Sequence, residues 1–156
     1  MLFGCKVFKC YLLILACCLY ARGEFIKYED CGSKSKVVWV QVDQCNDRSN
    51  CTLVKGSTAE FSVRFIPKNM ITDFSAVAYV QSGEGWPAYK FTMPAGCENV
   101  REVCNVDGGE EATYRTTVFV PKELPSEKTN VEFTLLDANE QTLVCLLMSG
   151  YVGDPK

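Results

Sequence analysis

The chain has 156 residues, with 16 basic and 19 acidic side chains, a net charge of −3 and no histidine. The acidic balance argues against nucleic acid and anionic membrane as partners. Without histidine the usual general base at neutral pH is missing, and Ser–His or Cys–His nucleophile pairs cannot form.

The first element is an export segment. Lys6 and Lys9 supply positive charge, Tyr11 to Tyr20 is an apolar run of about ten residues, and Ala21-Arg22-Gly23 places small residues where a signal peptidase reads. Residues 1–23 are therefore expected to be a signal peptide, cleaved before Glu24. A membrane span needs about 20 apolar residues, and no later segment comes close, so residues 24–156 are expected to be one soluble domain. Cys5, Cys10, Cys17 and Cys18 leave with the leader, as do Lys6, Lys9 and Arg22. The remainder holds 13 basic against 19 acidic residues, a net charge of about −6.

From there the hydrophobic period is two. Val38, Val40 and Val42 alternate with Trp39 and Gln41, and Ala59, Phe61, Val63 and Phe65 alternate with Glu60, Ser62 and Arg64. Further strands are predicted at Ser75 to Gln81, Tyr89 to Thr92, Thr113 to Val120, Asn130 to Leu136 and Thr142 to Val152. Turn-forming residues separate them, among them Lys55-Gly56, Pro67 to Asn69, Ser82 to Pro87, Pro94 to Gly96, Pro121 to Pro125 and Asp137 to Asn139. No stretch of ten or more residues carries an apolar 3.6 period. Seven or eight short strands in about 130 residues read as an all-β, antiparallel sandwich. The Val38/Val40/Val42 and Ala59/Phe61/Val63/Phe65 faces should point between the sheets, with Thr116/Val118/Val120, Val131/Phe133/Leu135 and Val144/Leu146/Met148. Periodicity alone does not distinguish a filled core from a lined cavity.

Six cysteines remain: Cys31, Cys45, Cys51, Cys97, Cys104 and Cys145. They allow 15 pairings. Loop entropy favours the close pairs, Cys45 with Cys51 and Cys97 with Cys104, which leaves Cys31 with Cys145. Spacings of six and seven, a secretory context and the lack of histidine argue against zinc. Neither a metal nor a cofactor is expected.

The ordered set Asp30-Cys31-Gly32-Ser33, the Cys45–Cys51 clip followed by Leu53-Val54-Lys55-Gly56, Gly96-Cys97 with Cys104, and Leu136-Asp137 leading to Leu143-Val144-Cys145 resembles the Niemann-Pick type C2 family. This is a branch of the lipid-recognition (ML) domains that includes arthropod homologues, and the likeness runs through the whole mature chain. It implies an immunoglobulin-like sandwich whose sheets splay to hold a sterol, a fatty acid or another lipid, with disulfides paired as loop entropy favours. By position the resemblance puts Tyr89 at the tunnel mouth and Val120 and Leu124 on the opposite lip, before Pro125-Ser126. It puts Val42, Leu53, Phe61, Val63, Val118, Val131, Phe133, Leu146 and Met148 along the walls. The Tyr89 hydroxyl or Lys90 would orient a head group. The chain departs from the family pattern at Asn105-Val106, at Leu124, and at Phe133 and Leu146, where smaller groups leave free volume for ligands other than sterols.

The expected role is a secreted, non-enzymatic lipid carrier, acting as a monomer and exchanging lipid with a donor or acceptor membrane or protein; lysosomal delivery is one destination. Glu110-Glu111, beside Gly108-Gly109, reads as a solvated turn rather than a catalytic pair. The alternative is an innate-immune or chemosensory module that recognises microbial lipid or semiochemicals. Asn50-Cys51-Thr52 is a glycosylation sequon, with Asn50 the acceptor.

Overall fold

The computed structural model describes residues 25–155 apart from 46, 47, 49, 50, 83–88 and 99. The expected signal peptide and the Asn50 acceptor lie outside the described residues. The described chain forms nine strands: β1 (Glu29–Asp30), β2 (Lys36–Val42), β3 (Cys51–Val54), β4 (Thr58–Ile66), β5 (Phe74–Ser82), β6 (Tyr89–Thr92), β7 (Ala112–Phe119), β8 (Lys128–Asp137) and β9 (Thr142–Gly153). A single 3-10 turn, Arg101–Val103, is the one helical element among these residues. One sheet runs β1-β9-β8-β5-β6, with β3 also paired to β9, and the other runs β2-β4-β7.

Seven of the nine strands fall where alternation places them. Of the other two, β1 has two residues, too few for a period to register, and β3 reads Cys-Thr-Leu-Val, with no clean alternation. They share one edge of the long β9: β1 pairs antiparallel with Leu146 and Leu147, and β3 runs parallel along Gly150–Gly153. Gly150 makes this approach possible, since a Cβ there would lie 2.8 Å from the Cys51 carbonyl oxygen. The remaining strand pairs are antiparallel.

Alternation also sets the faces. Along β4, Ala59, Phe61, Val63 and Phe65 are all buried, and in β8 and β9 Phe133, Leu135, Val144, Leu146 and Met148 follow suit. Val38 is the exception. Expected to point inward, it is 40% exposed. In β2, Val37 pairs with Phe65 and Trp39 with Arg64, so Val38 is an extra residue opposite nothing. This bulge reverses the parity of the strand, and Val37 packs against the core instead. Trp39 lies on the outer face, where the Arg64 guanidinium sits 5.1 Å from its ring centroid and Phe25 lies 5.5 Å away.

The disulfides are Cys31–Cys145, Cys45–Cys51 and Cys97–Cys104, the pairing that loop entropy ranks first. Cys31–Cys145 spans 114 residues of sequence; closing a loop of that size removes about 4–5 kcal/mol of unfolded-state entropy in the chain-entropy model. The Cys97–Cys104 loop folds over one end of the sandwich. Its flanking backbone is tied to the β4–β5 connection by Asn105 N–H to Ile71 O (3.0 Å) and Ile71 N–H to Val106 O (3.2 Å), and to the start of β5 by Gly96 N–H to Phe74 O (2.9 Å). Val100 and Val103 in this loop are buried in the core cluster.

Candidate functional site

A single line across the strands divides the inward residues into two sets. On one side, Val40, Val63, Phe65, Phe74, Tyr114, Leu135, Val144 and Leu146 are packed solid, each with 4% exposure or less. On the other, the same strands line a cavity of about 110 Å³ with Val42 (β2), Ala59 and Phe61 (β4), Ala78 and Val80 (β5), Val118 (β7), Thr129, Val131 and Phe133 (β8), and Met148 and Val152 (β9). Leu53 of β3, Phe91 and Met93 at β6, and Ile26, whose N–H donates to Val40 O at 2.9 Å, complete the wall.

Four rings bridge the two halves. Phe61 and Phe133 meet at 4.6 Å on the cavity floor, Tyr114 stands 5.5 Å behind Phe133, and Phe74 packs edge-on to Tyr114 at 6.0 Å. Ring pairs at these separations add attraction beyond area burial, about 0.5–1.5 kcal/mol each. The buried Tyr114 hydroxyl donates to Pro94 O at 2.9 Å, and burial pushes its pKa up to about 12. It therefore stays neutral at the back of the floor. Among the described residues that line the cavity there is no Lys, Arg, Asp or Glu. Buried charge is costly unless paired, so this wall suits an uncharged, apolar occupant.

The mouth is made where β7 leaves the sheet. Residues 120–127 cross it as a strap, and Val120, Leu124 and Val152 form a small buried cluster against Leu53. The strap starts on a pair of backbone bonds, Val120 N–H to Ser57 O (2.9 Å) and Gly56 N–H to Val120 O (2.8 Å). Gly56 takes a left-handed φ of 71°, and a Cβ there would lie 2.7 Å from Cε of Lys122. Phe119 and Tyr151 stand at the rim, 54% and 41% exposed.

Of the residues assigned from the sequence, Val42, Leu53, Phe61, Val118, Val120, Leu124, Val131, Phe133 and Met148 line this cavity. Val63 and Leu146 do not. Each lies one inward step deeper than Phe61 and Met148 and is fully buried in the packed half. Tyr89 is also outside the wall. It pairs with Val80 and so shares the inward face, but at 54% exposure it stands beyond the rim. Lys90 pairs with Tyr79 and lies 5.9 Å from that ring's centroid, on the opposite face of β6 from Phe91. Ala78 and Val80 were open to the same alternation that placed the other walls. Ile26, Met93 and Pro121 sit in irregular segments, which carry no period to read.

A family model for the ML domain matches residues 26–151. The chain is 29% identical over 143 residues to the ecdysteroid-regulated 16 kDa protein of Manduca sexta, covering 88% of this chain and 94% of that protein. It is 30% identical over 135 residues to the NPC intracellular cholesterol transporter 2 of Sus scrofa, covering 85% and 89% respectively. Among solved structures, a Niemann-Pick type C2 protein from the Japanese carpenter ant superposes with a TM-score of 0.69 at 18% identity, over 82% of this chain and all of that one.

Proposed function

The chain belongs to the ML-domain family, and on that premise we propose that it is a secreted lipid-binding and transfer protein. It holds a sterol, or another neutral apolar lipid such as a protonated fatty acid, between its two sheets. The observation that carries this reading is the undivided apolar character of the wall, in a cavity that only half of each strand lines. The name of the porcine relative, a cholesterol transporter, supports a sterol in particular. Family membership goes with binding rather than catalysis, and this chain is not an enzyme.

The driving force is transfer from water. Each methylene buried gains about 0.8 kcal/mol, so a ligand of sterol size needs few polar contacts. Sites for small molecules measure about 300–1,000 Å³, well above the 110 Å³ of this cavity. The sheets must therefore part as lipid enters. Ala59 and Ala78 leave the facing walls lightly interlocked, while Cys31–Cys145 secures the β1–β2 connection to β9 within the packed half. Val120 and Leu124 on the strap form the movable lip, and Tyr89 stands across from it. The leader, residues 1–23, directs export, and three disulfides suit an oxidising compartment.

The test is mass spectrometry of lipid extracted from the natively secreted protein. We expect a neutral lipid near one per chain. Lipid-free protein that also fails to bind the fluorescent sterol dehydroergosterol would refute the reading.

A further inference from the structure

The two ends of the strap are held differently. Its start is pinned by backbone bonds to Gly56 and Ser57, which no side-chain substitution removes. Its end enters the β8–β9 ladder at Lys128, with Val152 N–H donating to Glu127 O at 3.0 Å, and just before that Ser126 is tied by side chains: its hydroxyl donates to Asp154 Oδ2 at 2.7 Å and the Tyr151 hydroxyl donates to its carbonyl oxygen at 3.1 Å. Asp154 joins this end to the neighbouring strand as well, because Lys55 Nζ lies 3.2 Å from its Oδ1. Lys55 is in register to do so. The parallel β3–β9 ladder ends at Val54 opposite Gly153, and Lys55 N–H continues it to Gly153 O at 2.9 Å.

Between its ends the strap has little to hold it. Among the described residues no backbone hydrogen bond ties residues 121–125 to the rest of the molecule, and Pro121 and Pro125 have no N–H to offer. Leu124, 6% exposed, is the inward anchor, seated against Val120 and Val152 over the cavity. A segment fixed at its ends and lightly held between them opens more readily when a tie near one end is lost.

We propose that Asp154 is a positioning residue for the cavity mouth: by clasping Ser126 to Lys55 it holds Leu124 closed and sets the rate at which lipid enters and leaves. This rests on the carrier reading above. Asp154 is not among the residues lining the cavity, so it acts through the strap and not on the ligand. Its carboxyl is held below the usual range by the Ser126 hydroxyl and the Lys55 ammonium, in keeping with a loaded clasp. A gate that loosens equally with and without ligand changes both rates and leaves affinity alone, because only differential binding shifts an equilibrium.

The experiment compares the wild type with Asp154→Ala, Asp154→Asn and Ser126→Ala by hydrogen exchange and by stopped-flow exchange of dehydroergosterol. An exposed ion pair with one hydrogen bond corresponds to about a three- to tenfold change in opening. Asp154→Ala should raise exchange of the Val152 amide, which donates to Glu127 O at the strap's end, by that factor and raise the association and dissociation rates together, with Kd unchanged and Tm lowered by only a few degrees. Asp154→Asn, which keeps an acceptor for Ser126 but no charge for Lys55, should fall between. Glu111→Ala, which breaks the Arg64 pair on the outer face of the β2-β4-β7 sheet, should leave both rates alone. Unaltered strap exchange would overturn the clasp, and faster strap exchange with unaltered lipid rates would overturn the gating. A wild type that bound no sterol would count against the carrier reading, while strap exchange would still decide the clasp.

Discussion

The two halves of the sandwich are built from the same strands by the same alternation, yet one is solid and the other is open. The packed half takes large groups at its inward positions, Phe65, Phe74, Tyr114 and Leu135, and its end is plugged by the Cys97–Cys104 loop carrying Val100 and Val103. The open half takes mainly alanine and valine at the equivalent positions, and its end is crossed by a strap with one buried leucine. At the packed end there remains a dent of about 90 Å³ lined by Lys34, Lys68, Asp137 and Gln141 among others, a polar surface over a sealed core. Group size separates core from cavity on β5 and β7, where Phe74 and Tyr114 face the packed half and Ala78 and Val118 the open one, while β2 presents a valine to each; the end loops and the spacing of the sheets supply the rest.

The largest expected effect follows from that contrast. Phe65→Ala in the packed half should cost about 3–5 kcal/mol, the usual range for emptying a filled site. Val118→Ala in the open half should cost about 1 kcal/mol or less, since its surroundings are already loosely filled. Urea denaturation of the lipid-free variants measures both, and equal costs would dissolve the distinction between the halves.

Val120→Trp should fill the mouth. We expect dehydroergosterol affinity to fall at least about tenfold, or 1.4 kcal/mol, while the variant stays folded at a cost of about 1–3 kcal/mol for the larger ring. Equal binding by this variant would remove Val120 from the lip.

A smaller effect concerns the rings between the halves. Tyr114 has its folded pKa raised to about 12 from 10.0, so the stability it contributes is fully present below pH 10 and is lost as pH rises from 10 towards 12. Tyr114→Phe should be less stable than the wild type at pH 8, by about 1 kcal/mol for the lost bond to Pro94, and the gap should close or reverse by pH 11. A gap independent of pH would mean that the hydroxyl is not buried as described. Smallest of all, Lys90→Ala should leave lipid binding unchanged, because that side chain lies over Tyr79 on the outer face.

Much of this was legible before the structure. Alternation along β4, β8 and β9 assigns the inward faces because a strand has a strict period of two, and loop entropy ranks the disulfides because short loops close first. Val38 shows where period fails: one extra residue reverses a strand, and two adjacent valines hide which of them is extra. The depth of a residue is harder still. Phe61 and Val63 share a strand and a face, yet one touches the cavity and the other is sealed in the core. That difference depends on how far apart the sheets stand at each point, which long-range packing decides and no local pattern records. The strap was readable as a Pro-rich turn, but its clasp pairs Ser126 and Lys55 with Asp154 across distant parts of the chain.

The division into a closed and an open half is tested most directly by methyl NMR during titration with cholesterol. Shifts should fall on the cavity-lining methyls, Val118, Val131, Val152 and Met148 among them, with Val63, Val144 and Leu146 unmoved. Shifts spread equally through both sets, or found only on the outer faces, would contradict it.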